Sequence, residues 1–145
     1  MIPPIDPATG YIPPGIHTGT WAEIVQHFSS NTHRGLLTNG LLAAVKNLVG
    51  AGCTLIVLDG SFVSSKALPN DYDGAWDLHG VDPSKLDSVL LDFSNGRAAM
   101  KAKYGGELFP ATAQAAPGVR YLDFFQRDRN GTPKGVVSID LGSLP

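Results

Sequence analysis

An α+β (α/β) fold, a small mixed β-sheet packed against helices, is predicted by three observations. Two stretches with helical apolar spacing precede the first apolar strand. Further helical stretches interrupt the β-type segments, and two such segments close the chain. With 145 residues, 43% hydrophobic and 17% charged, the composition suits a single folded domain spanning residues 1–145.

The elements are justified in order. Residues 1–19 hold Pro3, Pro4, Pro7, Pro13 and Pro14, so an extended, irregular lead-in is expected there. Thr20 is a fair N-cap, with Glu23 three residues on, for a helix whose apolar positions are Trp21, Ile24, Val25 and Phe28. A second helix is predicted from Thr32 to Val49, where Leu36, Leu37, Leu41, Ala44, Val45 and Leu48 follow the helical period and Gly50 and Gly52 stop it. Gly35 and Gly40 each weaken it by about 1 kcal/mol relative to alanine, so packing must supply its stability.

Thr54–Leu58 is a short, β-branched apolar run, as expected of a strand buried on both faces, and it ends at Asp59-Gly60-Ser61. Asp71–Asp77 reads as a strand with Tyr72, Trp76 and Leu78 opposite its aspartates. Pro83–Leu91 reads as a helix capped by Asp82 with proline at its first position, and Gly96–Tyr104 as a basic helix. Residues 105–118 are rich in Gly, Ala and Pro and read as a connection with one brief strand. Val119–Phe125 and Gly135–Leu141, joined by the turn sequence Asp128-Arg-Asn-Gly-Thr-Pro, are expected to form an antiparallel hairpin.

No apolar run approaches the roughly 20 residues of a membrane helix, and the start lacks the basic flank and apolar core of a signal peptide. Cys53 stands alone in an apolar segment and has no internal disulfide partner. These features point to a soluble, cytoplasmic protein without membrane contact.

The net charge of -2 conceals an asymmetry. Residues 1–96 hold four basic and nine acidic groups, whereas residues 97–134 hold seven basic and three acidic. The second segment, with Arg97, Lys101, Lys103, Arg120, Arg127, Arg129 and Lys134, fits either an anionic partner or a solvated basic face.

Phosphate-loop and dinucleotide fingerprints are absent, as is the GxSxG elbow of hydrolases. His17, His27, His33 and His79 show no metal spacing with Cys53. What remains is carboxylate chemistry. Asp71 and Asp73 lie at i, i+2 on an extended segment, about 7 Å apart at the backbone and on one face, so they could share a divalent ion. Asp77 lies about 13 Å beyond Asp73, too far to join them. Asp123 is the expected third ligand, because it alternates in phase with Val119, Tyr121 and Phe125 and an inward carboxylate needs a cation or donors. Each also has a plainer reading, as turn chemistry for the DxD pair and as a structural carboxylate for Asp123. The Gly60-Ser61 turn entering a helix suits an anion, and Lys66 could add a charge if the turn folds back.

An apolar strand, Gly60-Ser61, a nine-residue linker, Asp71-x-Asp73 and a later aspartate together resemble the nucleotidyltransferase superfamily typified by DNA polymerase beta. The stretches PPGIH, LDGSFVSSK, PNDYD, VDPSKLDSVLLDF and KGVVSIDL are similar to a bacterial and phage family of such nucleotidyltransferase-like proteins, across most of the chain. The resemblance implies that Gly60 and Ser61 contact the phosphates of a nucleoside triphosphate and that Asp71, Asp73 and Asp123 bind Mg2+ and carry catalysis. A nucleoside monophosphate would pass to a hydroxyl of an RNA or protein acceptor, with ATP among the possible donors, in a toxin-antitoxin or phage-defence pair. Base and acceptor would then be held by a partner protein, a second copy in a homo-oligomer, or the basic segment. Two other readings stay open: a non-catalytic binding module for a protein or RNA partner, and a metal-dependent hydrolase of phosphate esters.

Overall fold

A computed structural model gives the structure of residues 1–145, the side chain of Gln114 excepted. The chain runs through β1 (Gly15–Gly19), α1 (Trp21–Phe28), α2 (Thr32–Gly50), β2 (Ile56–Asp59), β3 (Tyr72–Trp76), α3 (Ser94–Tyr104), β4 (Gly106–Pro110), β5 (Gln114–Ala116), β6 (Val119–Arg120), α4 (Tyr121–Phe124) and β7 (Gly135–Ile139). It is an α+β fold around a five-stranded mixed sheet in the order β1-β7-β2-β3-β4. β1 runs parallel to β7 and β4 parallel to β3, while β2 is antiparallel to both β7 and β3.

Local signals account for the helices. The Thr20 side chain accepts from the Glu23 N–H and the Glu23 carboxylate reaches back to the Thr20 backbone, the reciprocal cap expected from the sequence. Asn31 caps α2 through the Arg34 N–H. Gly40 has a packing role: a Cβ there would fall 2.0 Å from the Tyr104 carbonyl oxygen, so only glycine lets α2 approach the end of α3.

The sheet separates two apolar layers. Ile56, Leu58, Tyr72, Trp76 and Leu108 face α1, α2 and α3, packing on Ile24, Phe28, Leu41, Val45, Leu48 and Met100. Each fully buried large side chain there stabilises the fold by about 1.5–3 kcal/mol. Alternation sends Val57, Ala75, Phe109 and Val136 to the opposite face, where Ala111 and Phe125 cover them. That second face is roofed by the segment from Ala111 to Pro133, tied down by the Tyr11 hydroxyl donating to Asp128 Oδ2 at 3.1 Å.

Several expectations are corrected. The proline-rich lead-in ends in β1, because the two prolines stop one residue short of Gly15 and leave its backbone free to pair with β7. Pro83–Leu91 forms two 3₁₀ turns, Pro83–Lys85 and Ser88–Leu91. Asp82 and Asp87 each cap an N–H two residues on, which divides the segment. Residues 105–118 contain two strands rather than one: β4, a buried strand at the edge of the sheet beside β3 and started by left-handed Gly105, and the short β5. The hairpin of the last two β segments does not form: β7 inserts between β1 and β2, and only Val119–Arg120 is extended, pairing with β5. Tyr121–Phe124 instead coils into one helical turn, closed by the Phe125 N–H donating to the Tyr121 carbonyl. Among the described residues no helix is long and apolar enough to cross a membrane.

Candidate metal and nucleotide site

Strand register builds a row of charges on the roofed face. Asp59 on β2 stands opposite Asp73 on β3, and Asp73 opposite Glu107 on β4. Neighbouring strands lie about 4.8 Å apart, so the three carboxylates project side by side. Asp71, two residues before Asp73, shares that face, and Asp71, Asp73 and Glu107 each offer an oxygen within 4.8 Å of the others.

Cations flank the row at both ends. Lys134 Nζ pairs with Asp59 Oδ1 at 3.0 Å, both side chains largely buried. Lys101 Nζ and Arg97 Nη2 meet the same Glu107 oxygen, Oε1, at 2.6 and 3.3 Å. Arg97 reaches it because Asn95, Gly96 and Arg97 adopt left-handed backbone before the right-handed helix proper, with Arg97 at φ 63°. Between these ends Asp71 and Asp73 lack a paired cation among the described residues.

Electrostatics follow from that arrangement. Burial, then the charges of Asp71, Glu107 and Asp59, push the Asp73 carboxyl up to about 7, against a smaller opposing pull from Lys134. Asp71 is raised by burial and by Glu107, with Lys101, Lys66 and Arg97 pulling the other way. Asp59 is raised by burial, which outweighs the Lys134 charge. The central carboxylates are therefore short of positive charge, and a hard divalent cation with oxygen ligands is the group that fits them.

Gly60 sits directly against Asp73. Its backbone, φ 84° and ψ -165°, is a conformation reserved for glycine, and a Cβ there would meet Asp73 Oδ2 at 2.5 Å. Ser61–Val63 then makes a short 3₁₀ turn, and the chain to Lys66 is held from below by Arg34. The buried Arg34 guanidinium donates to the carbonyls of Phe28, Ser61, Phe62, Ser64 and Lys66. His33 and Asn31 hold the next stretch through the Pro69 and Ala67 carbonyls.

The site opens into a cleft of about 1120 Å3. Its floor is Asp59, Asp73 and Glu107, one wall is Gly60, Ser61, Ser64 and Lys66, and the roof adds Tyr121, Phe124, Phe125, Arg127 and Arg129.

The structure brings Asp73, Gly60, Ser61 and Lys66 to one cleft, with Asp71 near Asp73, and does not bring Asp123 there. Asp123 lies on α4, within the roof, but borders a separate smaller hollow with Pro14, Gly15 and Gln126 rather than the cleft. The in-phase alternation assigned to it fails because its segment is coiled rather than extended. Glu107 takes the third position. It was detectable by the reasoning applied to Asp123, as the lone carboxylate in the apolar run Glu107-Leu-Phe, but the glycines around it read as a connection. Arg34 carried no local signal, since all its acceptors but the Phe28 carbonyl lie on a loop some thirty residues away.

A family model described as "Family of unknown function (DUF6932)" matches residues 3–140. The chain belongs to that family. No curated protein and no solved structure matches it.

Proposed function

We propose that this member of the DUF6932 family is a metal-dependent nucleotidyltransferase, moving a nucleoside monophosphate from a nucleoside triphosphate to a hydroxyl of an RNA or protein acceptor. The observation that carries the reading is the convergence of Asp71, Asp73 and Glu107 within 4.8 Å of one another, with Asp73 and Glu107 lining a cleft whose adjoining wall is Gly60, Ser61 and Lys66. Asp71, Asp73 and Glu107 would hold Mg2+. When bound, the ion supplies positive charge to the phosphoryl oxygens and to the attacking oxygen.

The chain's own groups have distinct tasks. Gly60 keeps the phosphate side of the cleft open beside Asp73, where any larger residue would fill it. Lys66 and the exposed Arg129 bring positive charge to the cleft, complementing a triphosphate. Arg34 holds the 61–66 backbone so that its shape is set before the nucleotide arrives. In the transfer, the acceptor oxygen bonds to the α-phosphorus while the bond from that phosphorus to the bridging oxygen breaks. Pyrophosphate leaves with the electron pair, and the hydroxyl proton passes to a cleft carboxylate and then to water.

The test uses triphosphates labelled at the α-phosphate, with Mg2+ and cell lysate. Label is expected to appear on an RNA or protein acceptor and to fall to background in the double variant Asp71→Ala, Asp73→Ala. Equal labelling by that variant would overturn the proposal, whereas release of label as free monophosphate alone would favour hydrolysis.

A further inference from the structure

We infer that the ring of Phe124 is the stacking surface for the nucleobase of the triphosphate, an assignment that rests on the transferase reading and extends it to how the substrate is held. The roof carries a graded series of aromatic rings. Phe109 lies parallel both to Phe93 at 6.1 Å and to Tyr121 at 4.2 Å between ring centres. Phe125 is buried against both Phe109 and Tyr121. These rings are committed to packing. Phe124, next in the series, touches Phe125 at 6.0 Å and 58°, yet stays 51% exposed and borders the cleft that contains Asp73 and Glu107.

The support beneath this ring is ordered. The α4 turn is anchored by the Tyr121 and Leu122 N–H groups donating to the Ala113 and Ala111 carbonyls. A half-exposed aromatic plane with Arg127 and Arg129 lining the same cleft suits a flat π-system that carries phosphate. The cleft it borders also carries Arg127, Asp128, Arg129 and Lys134, which disfavours a purely aliphatic occupant. Every base has a π-face, so stacking here tolerates all four bases.

The experiment replaces Phe124 by Trp, Leu and Ala in the full chain and measures binding with Mg2+ present. Trp21 and Trp76 are buried and leave a constant background, so Phe124→Trp reports the cleft by fluorescence. Quenching is expected with each of the four nucleoside triphosphates and not with inorganic tripolyphosphate. Phe124→Ala and Phe124→Leu should both weaken triphosphate binding about 5- to 150-fold, with tripolyphosphate binding and thermal midpoint unchanged. Wild-type affinity in both variants would overturn the stacking assignment and leave the phosphate and metal reading standing. Wild-type affinity in Phe124→Leu alone would reduce the contact to apolar cover and overturn it as well. If neither triphosphate nor tripolyphosphate binds the wild-type chain, the transferase reading fails and takes this one with it.

Discussion

Replacing Asp73 by Asn removes the charge at the centre of the carboxylate row while keeping the side chain's shape, and its effect on stability has a definite sign. A carboxyl whose folded-state pKa is raised stabilises the fold only while protonated. Its contribution is full below about pH 4 and is lost as pH rises through the folded value of about 7. The rise from an ordinary 3.8 to about 7 corresponds, at about 1.36 kcal/mol per pKa unit, to about 4 kcal/mol. Because Asp71 lies in the same field and is also raised, that energy belongs to the pair. Thermal unfolding of metal-free protein should therefore show wild type and Asp73→Asn nearly equal at about pH 4, and the variant higher by about 10 °C above about pH 8. Adding Mg2+ at the higher pH should raise the wild type and leave the variant where it is, since the ion binds the ionised cluster. A metal-free wild type that is as stable as the variant, or more so, above pH 8 would show that Asp73 is not held ionised against burial and neighbouring charge.

Other perturbations follow from the same geometry. Arg34→Met strands five backbone carbonyls and should cost about 3 kcal/mol or more in urea unfolding, with faster amide exchange confined first to residues 61–66; unchanged exchange there would contradict the loop's dependence on Arg34. Gly60→Ala forces both a disfavoured backbone and a clash with Asp73, so a loss of about 2–4 kcal/mol together with loss of the Mg2+ stabilisation is expected in a melting series. Lys134→Met leaves Asp59 buried without its cation and should cost about 3–5 kcal/mol. The double variant Lys134→Met, Asp59→Asn should recover most of that loss, and failure to recover would mean that Lys134 acts through other contacts.

Elements governed by local chemistry were legible in the sequence. The Thr20 and Glu23 cap, the glycine stop after α2, the apolar run of β2 and the i, i+2 aspartates all declare themselves within a few residues. What was hidden depended on partners distant in the chain. Glu107 enters the site only because β4 lies parallel to β3 in a register that sets it opposite Asp73, and nothing near Glu107 encodes that register. Strand alternation does not reach Asp123, because Tyr121 and Phe125 meet across a helical turn, at 5.6 Å between ring centres. β1 is not legible in the sequence because its strand character comes from pairing with β7 rather than from its own residues, three of which are glycine or threonine flanking exposed Ile16 and half-buried His17.

Titration of the protein with Mn2+, read by the loss of the free-ion paramagnetic signal, tests the identity of the centre most directly, with Glu107→Gln and Asp123→Asn compared against wild type. The expected result is that Glu107→Gln weakens binding tenfold or more, in line with about 1.4 kcal/mol per decade, while Asp123→Asn binds as the wild type does. Undiminished binding by Glu107→Gln, or loss in Asp123→Asn, would contradict the assignment of Asp71, Asp73 and Glu107 as the metal site.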